Sequence, residues 1–256
     1  MLRQYPLTPA SGKRLIAKAI VTHPWVTEAL DTGRVIIVAG TTNGYVAEEI
    51  LATLGQNLGF VKRHFYRGIT LPPVVIAARA GRAADDGFPG DVVIEKRVWQ
   101  RAKTIFDIAD TLDSSDLILK GANALDVEAG QAASFLDHRD GGSMGVILPA
   151  VFGRQARLLV PVGLEKRVHG NLHDLGRRLS TPDAKGARLC PLPGLPYTEI
   201  DAILHLTGAK ATLVGAGGVA GAEGSIWIAI EGASDQLTQV ETLMREIIAE
   251  PAFDLE

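Results

Sequence analysis

The chain has 256 residues, of which 46% are hydrophobic and 21% charged. This is a globular composition that excludes a disordered or fibrous polymer and leaves room for one large domain, or one of about 150–180 residues with a smaller companion. With 26 Lys and Arg against 29 Asp and Glu, a net charge of −3 and 5% aromatic residues, it has neither the basic field nor the stacking surface expected if nucleic acid or an anionic membrane were the main partner. Cys190 is the single cysteine, which excludes an internal disulfide.

The opening MLRQYPLTPASGKR lacks the apolar core of a signal peptide, and no apolar run of about 18 residues follows, so the expected location is cytoplasmic. Leu15, Ile16, Ala19 and Ile20 make a helical stripe, Pro24 interrupts it, and a further turn covers Val26 to Leu30. Residues 1–32 therefore read as an N-terminal helical segment. Val35 to Val38 is a β-branched run suited to a parallel strand buried on both faces, and the helix after it places Val46, Ile50 and Leu54 on one side.

Residues 81–90 (GRAADDGFPG) form a polar loop, either a lid or a surface connection. A strand over Asp91 to Glu95, a helix over Thr104 to Leu112, a strand over Asp116 to Leu119, a helix opened by Gly141-Gly142-Ser143 and a strand from Arg157 follow in turn. Strands alternating with helices predict a Rossmann-like α/β domain over residues 33–182, with helices on both faces of a mostly parallel sheet and ligands at the carboxyl ends of the strands. The proline-rich CPLPGLP from Cys190 to Pro196 reads as a linker. Beyond it, helix, strand, Gly-rich loop, strand and helix describe a small αββα subdomain within residues 190–256, placed to act as a lid or a dimerisation element.

Gly40, Thr41, Thr42, Asn43 and Gly44 lie where a strand hands over to a helix. Unpaired backbone N–H groups and the positive end of the helix dipole favour an anion there, and the threonines and asparagine add polar partners. The plainer alternative is a threonine that only caps the helix. Lys120 follows an apolar strand and is placed to hold a phosphate or carboxylate, or to be a solvated strand end; Gly121 and Asn123 follow it, then Asp126 and Glu128. Glu165 and Lys166 end another strand on the same edge, with Glu165 a candidate general acid or base.

His169 and His173 are four apart but lack a partner glutamate and a third ligand, so no metal is expected. The glycines from 215 to 224 mimic a dinucleotide fingerprint. They precede a strand rather than a helix, so a hairpin loop carrying Glu223 is the better reading.

The order of these pieces resembles type A ribose-5-phosphate isomerase and the superfamily it shares with glucosamine-6-phosphate deaminase and the CoA transferases. Ala39–Gly44 is similar to that isomerase's Gly-Thr-Gly-Ser-Thr phosphate loop, and Lys120-Gly121-Ala122-Asn123-Ala124 to its Asp-Gly-Ala-Asp-Glu strand end. Arg139-Asp140-Gly141-Gly142-Ser143 is similar to its Lys-Gly-Gly-Gly loop, and Val162–Lys166 to its strand ending in Glu-Ser-Lys.

In this alignment the family's two motif aspartates fall on Lys120 and Asn123, its loop lysine on Arg139, and its proton-moving glutamate on about Leu148. Leucine cannot abstract a proton, and a cation and an amide in place of two anions favour a more anionic ligand. The resemblance thus implies a divergent isomerase- or transferase-like enzyme for a phosphorylated or CoA-linked metabolite, or a non-catalytic sensor of one. Ordinary ribose-5-phosphate isomerisation is not implied. Lys120 and Glu165 are the expected catalytic residues, with the residues at 40–44, Lys120, Gly121, Asn123, Gly141, Gly142, Ser143 and Lys166 holding the ligand. No cofactor is expected, and a homodimer or higher homo-oligomer is the ordinary expectation.

Overall fold

The computed structural model describes residues 1–67, 70 and 90–253; the loop expected over 81–90 lies outside them except for Gly90. The chain opens with a strand, β1 (Leu2–Leu7), which leads into α1 (Pro9–Val21) and α2 (Pro24–Thr32). Thr8 caps α1 by accepting from the Ser11 N–H at 3.2 Å, and Pro9 occupies the first helical position, where a missing N–H costs nothing. Next come β2 (Arg34–Ile37), α3 (Thr41–Thr53), β3 (Val92–Glu95), β4 (Val98–Trp99), α4 (Ile105–Ile108), β5 (Leu117–Leu119), β6 (Ala124–Asp126) and β7 (Gln131–Leu136). The remaining elements are α5 (Ser143–Arg154), β8 (Arg157–Pro161), α6 (Leu172–Leu179), β9 (Arg188–Pro191), β10 (Leu195–Tyr197), α7 (Glu199–Thr207), β11 (Lys210–Ala216), β12 (Ile226–Glu231) and α8 (Ser234–Ile247).

The protein is α/β, with eight α-helices among the described residues and a mostly parallel six-stranded sheet in the order β10-β8-β5-β2-β3-β4. Strands β10, β8, β5 and β2 run parallel, whereas β3 pairs antiparallel with both β2 and β4. The β2 strand is continuous apolar sequence because Val35, Ile36 and Ile37 are fully buried together. Each such side chain contributes about 1.5–3 kcal/mol by leaving water. Two three-stranded antiparallel sheets, β1-β12-β11 and β6-β7-β9, accompany the large one. α1 packs on α3, α7 and α8, so the first helix joins the large sheet's layer to the C-terminal elements.

Three features differ from the sequence-based expectation. Leu2–Leu7 form a strand paired with β12, so the αββα unit gains an N-terminal partner strand. Its alternation is muted because Leu7 alone of the strand is buried, with Leu2, Arg3, Gln4 and Pro6 exposed. The expected CPLPGLP linker is instead two pieces of sheet: Cys190 pairs with Ser134 on β7, and Leu195–Tyr197 run beside β8. Both β9 and β10 are edge strands, the one place where proline's missing N–H is tolerated in a sheet. Finally, β3 runs antiparallel to β2, which alternation alone did not reveal. No helix among the described residues is long and apolar enough to cross a membrane.

Candidate active site

The parallel strands β2, β5, β8 and β10 deliver four segments to one carboxyl edge. After β2, the Val38 N–H continues the ladder to Leu119 O at 2.9 Å, and the Ala39 N–H turns onto Asp91 Oδ1 at 2.8 Å. Gly40 is the N-cap of α3 and no side chain caps that helix, so its first N–H groups remain open. A Cβ built on Gly40 would meet no atom within 4 Å, so the turn faces open space.

The neighbours of Gly40 divide by role. Thr41 is half-buried, and Thr42 is buried with Oγ1 lacking a hydrogen-bond partner. The buried Asn43 donates from Nδ2 to Val38 O at 2.7 Å and to Leu119 O at 2.9 Å, tying the ends of β2 and β5 together. At Gly44, a Cβ would come within 3.3 Å of Lys62, so this glycine permits close packing against the turn at residues 62–64.

Beyond β5 stands Lys120, half-buried, its Nζ 3.2 Å from Gly121 O and 3.5 Å from Ser134 Oγ. The Ser134 hydroxyl itself donates to Gly121 O at 3.0 Å. Burial, with Arg67 and Lys166 nearby, brings the Lys120 ammonium down to a pKa of about 8, against weaker opposition from Asp91 and Cys190. Among the described residues no carboxylate stands within ion-pairing reach of Lys120. Asp91 is spent elsewhere: fully buried, it accepts from Ala39, from the Ile105 N–H at 2.9 Å, and from Arg67 at 2.5 and 3.1 Å.

After β8, residues 163–166 make a tight turn, with Leu164–Lys166 in a single 3-10 turn. The Glu165 carboxylate folds over Gly163, in the space a Cβ there would take. Lys166 donates from Nζ to Ala122 O at 2.8 Å, and burial lowers its pKa against the pull of Glu165 and Glu199. Glu199 opens α7, 1% exposed, and its Oε2 accepts from the Leu164 N–H at 2.9 Å. Burial, and then the charge of Glu165, push the Glu199 carboxyl up to about 8. Lys13 on α1 faces Glu165, Lys166 and Glu199, and burial lowers its pKa too. Gly12 is obligatory beside them, because a Cβ would run into the Glu199 carboxyl.

The structure thus brings together Gly40, Thr41, Lys120, Gly121, Glu165 and Lys166 along one edge. The remaining candidates stand apart or are committed to structure. Exposed Asn123 accepts from the Phe135 N–H at 3.0 Å within the β6–β7 hairpin. Asp126 caps its own turn through the Ala129 N–H at 3.0 Å. Gly141, Gly142 and Ser143 lead into α5, both glycines with positive φ (78° and 54°). Gly141 lines a separate cavity of about 460 Å³, together with Arg139, His173, Arg177, Arg188 and Cys190. Cys190 also senses the Lys120 charge and so adjoins both places.

His169 precedes α6 rather than sharing a helical face with His173, and no group of three or more potential metal ligands exists among the described residues. Glu223 is exposed and holds its own loop through the Gly221 N–H at 2.8 Å. Sequence reasoning missed Lys13, Arg67, Asp91, Ser134 and Glu199. Asp91 had one visible signal, an acid directly ahead of an apolar strand. Comparison with known proteins finds no matching family model, no matching curated protein and no matching solved structure.

Proposed function

We propose that this protein binds an anionic small metabolite, phosphorylated or CoA-linked, at the carboxyl edge of its parallel strands, and acts on it as a divergent isomerase- or transferase-like enzyme built on a Rossmann-like sheet. The observation that carries this reading is Lys120: an ammonium half-buried without a carboxylate partner among the described residues, beside a helix start whose first N–H groups are uncapped. A buried cation without a counterion is costly, and an incoming anion offsets that cost.

The same edge supplies proton-transfer groups. Glu165, half-buried on that edge, is the general acid or base, and the buried Glu199, its carboxyl pushed up to about 8 by burial and then by the charge of Glu165, adjoins it. This pairing favours catalysis over sensing alone. The resemblance to the sugar-phosphate isomerase and CoA transferase superfamily supports the ligand class, and the departures at Lys120, Asn123 and Leu148 support a different reaction.

Calorimetric titration and thermal shift with inorganic phosphate, ribose 5-phosphate and acetyl-CoA test the binding. At least one should raise the melting temperature, with about 2.7 kcal/mol of added stability at a hundredfold excess over Kd, and Lys120→Met should remove the effect. If none does so, or if Lys120→Met binds as tightly as the unmodified chain, the reading is overturned.

A further inference from the structure

We propose that Lys120 is a covalent nucleophile whose amine condenses with the carbonyl carbon of an anionic aldehyde or ketone to form an imine. This deepens the ligand reading above and rests on it. A lysine serves as a carbonyl nucleophile when its nitrogen is fixed, partly sheltered from water and free of a carboxylate that would lock it as an ammonium.

Lys120 meets these conditions through its surroundings. Its nitrogen is anchored by Gly121 O at 3.2 Å and Ser134 Oγ at 3.5 Å, both groups held by the adjoining hairpin. Among the described residues, Asp91 is the carboxylate whose charge reaches Lys120, and it is saturated by Arg67 and two backbone N–H groups. Arg67 and Lys166 add cationic charge that disfavours a third. Burial and these two charges leave a useful fraction of free amine near neutral pH, with the midpoint at about 8. The uncapped N–H groups at Gly40 provide a cradle for the ligand's anionic end.

The step balances without an oxidant. The amine lone pair forms the C–N bond, the carbonyl oxygen gains protons, and the carbinolamine then loses water. The two N–H protons of the amine depart in that water, leaving C=N. Taking one proton from water turns this imine into an iminium, which withdraws electrons from the adjacent carbon and would acidify its C–H bond.

The test uses the full chain with D-glyceraldehyde 3-phosphate and sodium borohydride, which reduces an imine to a stable secondary amine that peptide mass mapping locates among the chain's nine lysines. One adduct per chain, on Lys120, is expected, forming faster as pH rises through about 8 and slowed by excess inorganic phosphate. Lys120→Arg keeps the positive charge, so phosphate should still raise its melting temperature while the adduct disappears; Lys185→Arg, on the surface, should behave as the unmodified chain. Adducts scattered over exposed lysines, or equal in Lys120→Arg, would overturn the proposal, and the mapping of the unmodified chain decides this even if a variant fails to fold. Phosphate binding without a Lys120 adduct removes the imine and leaves the anion site standing.

Discussion

Around Arg14 the charges are matched, whereas around Lys120 they are left open. The Arg14 guanidinium, its side chain 11% exposed, reaches Glu250 at 2.9 Å, Glu49 at 2.7 Å and Glu48 at 2.5 Å. Lys62 joins the same carboxylates at 3.1 and 3.5 Å, and the Tyr45 ring lies beneath both cations, 4.9 and 4.8 Å away. Burial opposes the charge on Arg14, but hydrogen bonds to Glu250, Glu48 and Glu49 more than offset it and raise its pKa. This cluster clamps the end of the described chain onto α1 and α3. Lys120, Lys166 and Lys13 have no comparable ion pairs among the described residues, and burial lowers all three. A matched cluster is a fastener; an unmatched one is stabilised by what binds to it.

Stability separates the two most strongly. Arg14→Met should cost about 3 kcal/mol, since three carboxylates would then face one another with only Lys62 among the described residues to compensate. For a chain of this size that lowers the melting temperature by roughly 6–12 °C. Lys120→Met, which removes a charge that no described carboxylate matches, should melt at the same temperature or higher. Equal losses in the two variants would dissolve the distinction.

The pH profile comes next. Glu199 in the folded chain holds its proton to about 8 against an ordinary value of 4.5, so its stabilising contribution is complete below 4.5 and is lost as pH rises through 8. Over that window the slope is at most about 1.4 kcal/mol per pH unit. Lys120 runs oppositely: depressed to about 8 from 10.5, it makes the fold relatively more stable as pH rises between those values. Urea midpoints should therefore dip near pH 8. Glu199→Gln should remove the falling limb and leave the rising one, and an unchanged falling limb would show that Glu199 ionises normally.

Much of the closed architecture was legible from local pattern. The β2–α3 unit, β5, β8 and the α7-β11-β12-α8 series announce themselves because apolar period and turn chemistry act within a few residues. β9 and β10 did not, since their prolines read as punctuation and become compatible with strand only at a sheet edge. Lys120, Glu165, Lys166 and the turn at Gly40 were legible as candidates because carboxyl ends of parallel strands share one edge. Glu199 was hidden inside an ordinary helical pattern. Its importance comes from the approach of α1, where Gly12 makes room, and from the Leu164 N–H, neither of which is near it in sequence. Asn123 shows the reverse: its place after Lys120 suggested a ligand, but the β6–β7 hairpin takes its side chain.

The smallest effect separates two adjacent residues at the turn itself. Asn43→Ala would strand Val38 O and Leu119 O, for a loss of about 2 kcal/mol from two hydrogen bonds. Thr42→Val removes a buried hydroxyl that has no partner, so the free protein should change by less than about 0.5 kcal/mol or gain slightly. Titration with inorganic phosphate then shows whether that hydroxyl turns to the ligand. A loss of about 1 kcal/mol, near fivefold in Kd, would place Thr42 in the anion cradle. Unchanged affinity would take Thr42 out of the cradle and assign it to Lys120 and the backbone N–H groups at Gly40, because these are the donors the fold leaves open.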